Sequence, residues 1–297
     1  MPRSPVTPVA DSTPAAIPSL STTRIALEST TLRVGISGDG PPVIMVPATI
    51  SLIEDWASMI QFVGQRNTVH FFELPGHGGS DAFADPFSSE RVAHAVGELA
   101  DAIGADRFTL IGFSFGGLLT LKTLKLLEDR IDRVALLSPF VSHRALRHSP
   151  TKLAILRSTL VALRPEFARR GMLAVLHNPT TVAAMDWYMR QVGKFETAAD
   201  LRERLAGFSA STLDVFIAQV NEVLTTAEAD VAGPFKVPCM FGMSEFDPML
   251  DFSITRDFVR SQFTDLTEEV WDWPYHAPPV PLTFEDYNRD YAALLDW

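Results

Sequence analysis

The sequence has a single cysteine, Cys239, among 297 residues. An intramolecular disulfide is therefore excluded, and no cysteine cluster can hold zinc or an iron–sulfur centre. Basic residues are in deficit: 25 Lys and Arg stand against 36 Asp and Glu, a formal charge of −11. Such a chain has no general field for phosphate backbones or anionic lipid, so no nucleic-acid partner is expected. Long apolar runs are missing too, each being broken within about ten residues, short of the ~20 that a helix needs to span hydrocarbon. No membrane span is expected. The first 22 residues lack the apolar core of a secretory signal and carry Pro2, Pro5, Pro8, Pro14 and Pro18 among Ser, Thr and Ala. They read as a disordered tail, with too little apolar surface to offset ordering entropy, and the cytoplasm is the default location.

What is present is a composition with 46% hydrophobic and 21% charged residues, enough for one large core. From Ile25 onward, short β-rich runs alternate with amphipathic segments, which predicts an α/β fold with a mostly parallel sheet flanked by helices. Strands are expected at 43–46, 69–74, 108–112, 134–137, 238–242 and 269–273, after an antiparallel pair within 24–37 that turns near 28–30. Helices are expected at 89–103, 116–128, 254–263 and 284–295, where apolar residues such as Val92, Val96 and Leu99 recur at helical spacing.

Between the fourth of these strands and the fifth the strand rhythm stops. The intervening text reads as helices broken at Pro165, Pro179 and Gly207, with one stripe at Leu153, Leu156, Leu160 and Leu163 and another at Leu213, Phe216, Ile217, Val220 and Leu224. The expected organisation is a tail at 1–22, a core formed by 23–140 and 230–297, and a helical insertion at 141–229.

Gly112-Phe113-Ser114-Phe115-Gly116 places a serine between glycines where an expected strand gives way to an expected helix. Lifting a hydroxyl clear of a sheet takes a sharp turn, with glycines where side chains would collide with neighbouring backbone. The helix that follows points unpaired amides and a partial positive charge toward that tip, which favours an anion formed during acyl transfer.

On this motif and its context the chain resembles the α/β-hydrolase superfamily over residues 25–297. The resemblance implies Ser114 as nucleophile, an acid after a late strand and a histidine after the last one, places occupied by Asp247 and His276. Glu245, two residues before Asp247, is the alternative acid; the Asp247-Pro248 pair resembles the family's usual ending. Glu73-Leu74-Pro75-Gly76-His77-Gly78-Gly79-Ser80 is similar to the family's D-x-P-G-H-G-x-S turn, with Glu73 in place of Asp. The family's oxyanion hole aligns with the backbone N–H groups of Phe115 and Thr49, although Pro47-Ala48 stands where the family commonly has His-Gly.

A hydroxyl is a poor nucleophile until a base takes its proton, and a histidine base needs a carboxylate to fix its tautomer. The three residue types in this order imply a serine hydrolase that cleaves a carboxylic ester through an acyl-enzyme, with no metal and no cofactor. Carbon–carbon bond hydrolases, thioesterases and acyltransferases of the superfamily use a similar triad, and some members are ligand receptors without catalysis. The insertion corresponds to the family's helical cap. Phe113, Ile50, Met185, Trp187 and Tyr188 are the candidates to line a site for a small-molecule ester or acyl substrate with an apolar group.

Overall fold

In the strand 42–46, Val43 and Met45 pack into one hydrophobic cluster while Ile44 and Val46 pack into another. Alternation with both faces apolar is what a strand covered by helices on two sides requires. The computed structural model describes residues 16–184, 207–278 and 281–297, and among them eight strands form one sheet. They are β1 (Leu20–Ala26), β2 (Thr31–Ser37), β3 (Pro42–Val46), β4 (Thr68–Phe72), β5 (Phe108–Phe113), β6 (Ile131–Leu137), β7 (Cys239–Ser244) and β8 (Leu266–Trp271). The order is β1-β2-β4-β3-β5-β6-β7-β8. The pairs β1/β2 and β2/β4 are antiparallel and all others parallel.

Helices α1 (Ala57–Val63), α2 (Ser89–Ala102) and α3 (Phe115–Leu127) connect the strands β3 to β6. The expected stripe of α2 is buried, with Val92, Val96 and Leu99 at 0% exposure, and the Ser88 side chain caps the helix by accepting from the Arg91 N–H. Between β6 and β7 the described chain includes α4 (Pro150–Ala162), α5 (Glu166–Leu176) and α6 (Ala210–Thr225), and α4 and α5 both pack on α6. Pro165 ends the approach to α5 as its N-cap. After β7 come α7 (Phe252–Gln262) and, beyond β8, α8 (Phe284–Asp290) and α9 (Ala292–Asp296). One sheet face holds α2, α3 and α7; the other holds α1, α8 and α9.

Among the boundaries that differ from the sequence expectation, two have a clear physical reason. β1 starts at Leu20, inside the stretch read as tail, because seven residues pair with β2 and so satisfy backbone groups although most of their side chains face solvent. The single helix expected at 284–295 is two, broken at Tyr291 (φ −121°, ψ 16°), whose buried ring packs against Trp271 and Trp273. Packing of a large aromatic overrides the continuous helical periodicity there.

The parallel strands all run the same way, so Val46, Phe113, Leu137, Ser244 and Trp271 end at one edge of the sheet. The loops leaving that edge are where open α/β sheets place ligand sites.

Candidate active site

Ser114 sits between β5 and α3 with φ 54° and ψ −118°, a left-handed conformation that a serine adopts only when its surroundings impose it. The surroundings are tight. A Cβ on Gly112 would lie 2.4 Å from the Gly116 carbonyl oxygen, and one on Gly116 would lie 2.5 Å from the Val46 carbonyl oxygen. Both flanking positions of the motif therefore accept no side chain. The Ser114 carbonyl accepts from the N–H groups of Gly117 and Phe140, each at 2.9 Å, which fixes the turn from two directions.

His276 reaches this serine from the loop after β8. Its Nε2 lies 2.8 Å from Ser114 Oγ, and its Nδ1 lies 2.7 Å from Asp247 Oδ2. A carboxylate only accepts, so Nδ1 carries the proton and Nε2 is left to accept from the hydroxyl. The loop is braced: the Ser244 hydroxyl donates to the Trp273 carbonyl, and Trp273 stacks on Trp271 at 4.5 Å and on Tyr275 at 5.7 Å between ring centroids. Sequence reading missed this support, although aromatics at alternate positions just before His276 are a legible signal for it.

Asp247 is 0% exposed, and its Oδ1 accepts from the N–H groups of Met249 at 2.8 Å and Leu250 at 2.9 Å. Burial works to raise its pKa, but the hydrogen bond and charge of His276, with those two amides, outweigh it and hold the carboxyl below the ordinary value. Arg147 Nη1 donates to the Asp247 carbonyl at 2.9 Å, a further brace that sequence reasoning did not find. Glu245, the alternative acid, has an exposed side chain, and its N–H donates to the Trp271 carbonyl. The geometry joins Asp247, not Glu245, to the imidazole.

Phe115 is the first residue of α3, where the helix leaves its N–H without an intrahelical partner. Thr49 lies in the turn after β3, next to Ile50, which has φ 36°. The contact between Gly116 and the backbone of Val46 and Pro47 brings this loop against the α3 N-terminus. Phe113 packs between Trp56 and His276, with ring centroids at 5.5 and 5.3 Å. Ile50 is half-buried. Met185, Trp187 and Tyr188 lie outside the described residues. Other histidines serve the scaffold: His143 Nδ1 lies 2.8 Å from the Thr226 carbonyl oxygen and His177 Nε2 lies 2.9 Å from that of Phe208.

Among the described residues, no helix is long and apolar enough to cross a membrane. A family model described as the alpha/beta hydrolase fold matches residues 41–233. Among curated proteins, an abhydrolase domain-containing protein of Caenorhabditis elegans, abhd-5.2, is 26% identical over 123 residues, which cover 38% of this chain and 28% of that protein. An uncharacterized protein of Mycobacterium tuberculosis, Rv2715, is 27% identical over 103 residues, covering 35% of this chain and 30% of that one. The matched stretches thus span under a third of either relative.

Solved structures are similar over far more of the chain. An N-formylmaleamic acid deformylase of Pseudomonas putida S16 has a TM-score of 0.69 at 13% identity, covering 91% of this chain and all of its own. The epoxide hydrolase CorEH has a TM-score of 0.66 at 15% identity, covering 93% of this chain and 100% of its own. The N-acyl homoserine lactonase AidH, solved with N-hexanoyl homoserine, has a TM-score of 0.65 at 19% identity, covering 94% and 95%. At such identities these are likenesses of fold. The family model spans well over half of the sequence, from β3 through the inserted helices, and on that match the chain belongs to the α/β-hydrolase fold family.

Proposed function

We propose that this protein hydrolyses a carboxylic ester through an acyl-enzyme, with Ser114 as nucleophile, His276 as base and Asp247 as acid. The observation that carries the reading is the unbroken run from Ser114 Oγ through His276 to Asp247 at 2.8 and 2.7 Å. In the first half-reaction Ser114 Oγ bonds to the ester carbon while its proton passes to His276 Nε2. The carbonyl electron pair moves to oxygen, which the N–H groups of Thr49 and Phe115 hold. Collapse of this adduct breaks the ester C–O bond, and the leaving alcohol takes the proton from His276. Water then repeats the sequence on the acyl-enzyme, releasing the acid and restoring the serine hydroxyl.

The family resemblance gives epoxide hydrolases an Asp where this chain has Ser114, which supports acyl transfer over epoxide opening. Residues 141–229 are assigned as a cap that selects the substrate, and Phe113 with Ile50 as part of an apolar wall suited to a hydrocarbon acyl group.

Labelling with a fluorophosphonate tests the nucleophile without knowledge of the substrate. Wild type is expected to label at Ser114 and to cleave p-nitrophenyl esters within an acyl-length series; Ser114→Ala and His276→Ala are expected to do neither. A wild type that neither labels nor turns over any ester, yet binds a ligand, would sink the reading in favour of a receptor. Faster cleavage of thioester or carbon–carbon substrates in the same panel would reassign the reaction on the same residues.

A further inference from the structure

The loop after β3 runs Pro47-Ala48-Thr49-Ile50-Ser51-Leu52-Ile53 and contains no glycine. Even so, Ile50 has φ 36°, a conformation in which a β-branched side chain is strained. Strain of this kind persists only where neighbours over-determine the backbone. The neighbours are on the turn after β4. Glu73 is 0% exposed. Its Oε1 accepts from the Ile53 N–H at 3.2 Å and pairs with Arg33 Nη1 at 2.7 Å, while its Oε2 accepts from the Gly79 N–H at 2.6 Å. One carboxylate thus ties together β2, the loop after β3 and the turn after β4.

A tight turn needs the bond to Gly79; it has no use for the bond to Ile53, which serves only the loop. His77, on the same turn and 8% exposed, joins that turn to the inserted helices. Its Nδ1 lies 3.4 Å from Thr212 Oγ1 of α6. Burial holds its pKa below the ordinary value, against the smaller influence of the Glu73 charge.

We propose that Glu73 is a positioning residue for the oxyanion hole: by fixing the Ile53 N–H it holds the loop in which Thr49 presents its own N–H to the reacting carbonyl oxygen. Charge makes such a clamp effective. Hydrogen bonds to an ionised acceptor are roughly twice as strong as neutral ones. The Arg33 guanidinium, itself paired with Glu54 at 2.5 Å, keeps the buried carboxylate compensated. The inference rests on the esterase reading, because it assigns Glu73 a share in stabilising an oxyanion that only acyl transfer forms.

The test is Glu73→Gln, which keeps the side-chain shape and removes the charge. Turnover of a p-nitrophenyl ester is expected to fall about 10- to 100-fold, with KM within about twofold, as expected for an interaction made in the transition state. Affinity for a trifluoromethyl ketone, which forms an oxyanion adduct with serine, should fall in the same ratio. Affinity for the chain-matched alcohol, which forms none, should not change. A purely structural Glu73 would instead lower thermal stability and the folded fraction while leaving kcat per folded molecule intact, and that outcome overturns the clamp. Should Glu73→Gln fail to fold, Glu73→Asp keeps the charge opposite Arg33 but is too short to reach both Ile53 and Gly79. It must show the same loss confined to kcat and ketone affinity, or the proposal fails. Absence of labelling and turnover in wild type would defeat the esterase reading itself; undiminished kcat in the variants beside an active wild type defeats only the clamp.

Discussion

The edge of the sheet that holds Ser114 and the helices inserted after β6 are built to opposite specifications. At the edge, every group that bears on the serine is held by at least two others: Asp247 by two amides and Arg147, the His276 loop by Ser244 and stacked aromatics, the elbow by close backbone contact on both sides. In the insertion neither α4 nor α5 buries a residue, and Ile155, Val161, Phe167 and Val175 are exposed, Phe167 to 78%. Reacting atoms must be placed within fractions of an ångström, and rigid packing supplies that. Recognition of a substrate's outer part, the role proposed for the insertion, tolerates looser walls, and a loosely packed element can vary without disturbing the rest of the fold. The contrast can be broken or sharpened at three points.

The largest effect belongs to the rigid edge. In Asp247→Asn, the amide oxygen can keep the N–H groups of Met249 and Leu250, which leaves the NH2 facing His276 Nδ1. A donor there forces the proton onto Nε2, and an imidazole in that tautomer cannot accept from Ser114. Turnover is expected to drop about 10⁴-fold, the scale of losing the correct tautomer in a serine triad. Glu245→Gln, at an exposed side chain two residues away, is expected to change kcat less than about twofold. Steady-state kinetics of the two variants decide between the acids, and the opposite ranking would move the role to Glu245.

The same contrast explains what could be read without a structure. Ser114 was marked by a local glycine–serine motif between strand and helix signals, and Asp247 and His276, the acid and base proposed, by the chain order that the family resemblance implies. Ile111 and Gly112 read as the end of a strand because the pattern is local. The buried carboxylate of Glu73 could not be read, since its partners Arg33 and Ile53 come from segments brought near only by the fold. The positive φ of Ile50 was equally hidden, because no Gly or Asn marks it. The inserted helices were legible as stripes: Leu153, Leu156, Leu160 and Leu163 are the half-buried positions of their segment, and Leu213 and Leu224 are buried on α6. Phe216, assigned to the same stripe, is 36% exposed, while Val215 and Gln219 are buried, so the buried face of α6 is rotated slightly from the one the sequence marks. A periodicity in apolar residues cannot register a buried polar side chain such as Gln219.

Stability should divide along the same line, with smaller effects than on turnover. Leu118 of α3 is 0% exposed in the core, so Leu118→Ala is expected to cost about 2–5 kcal/mol. Leu156 of α4 is half-buried, and truncating it removes less contact from water, for an expected cost of about 1 kcal/mol or less. Urea unfolding with matched slopes measures both. Equal costs would mean that the insertion is welded to the core as firmly as α3, and the argument from loose walls would fail.

The smallest effect lies on the seam between the two regions. Glu222 of α6 accepts from the Ser89 N–H at the start of α2 through Oε1 at 2.9 Å, while its Oε2 is buried without a hydrogen-bond partner. Burial, helped by the nearby negative charge of Glu90, raises its pKa above the ordinary 4.5. A carboxyl whose folded pKa is raised binds its proton more tightly in the folded state than in the unfolded one. Stability therefore falls as pH rises from the unfolded value through the raised folded one, and the cost of the buried charge is fully present above that window. In Glu222→Gln the amide oxygen can still accept from Ser89, and the charge is gone at every pH. The variant is expected to be more stable than wild type at pH 7 to 8, by about 1 kcal/mol or less, with the difference closing toward pH 4. Thermal unfolding of both proteins across that range measures it. A constant difference would mean that Glu222 holds α6 by shape alone, and a larger wild-type stability at neutral pH would mean that its charge, not merely its oxygen, fastens the insertion to the core.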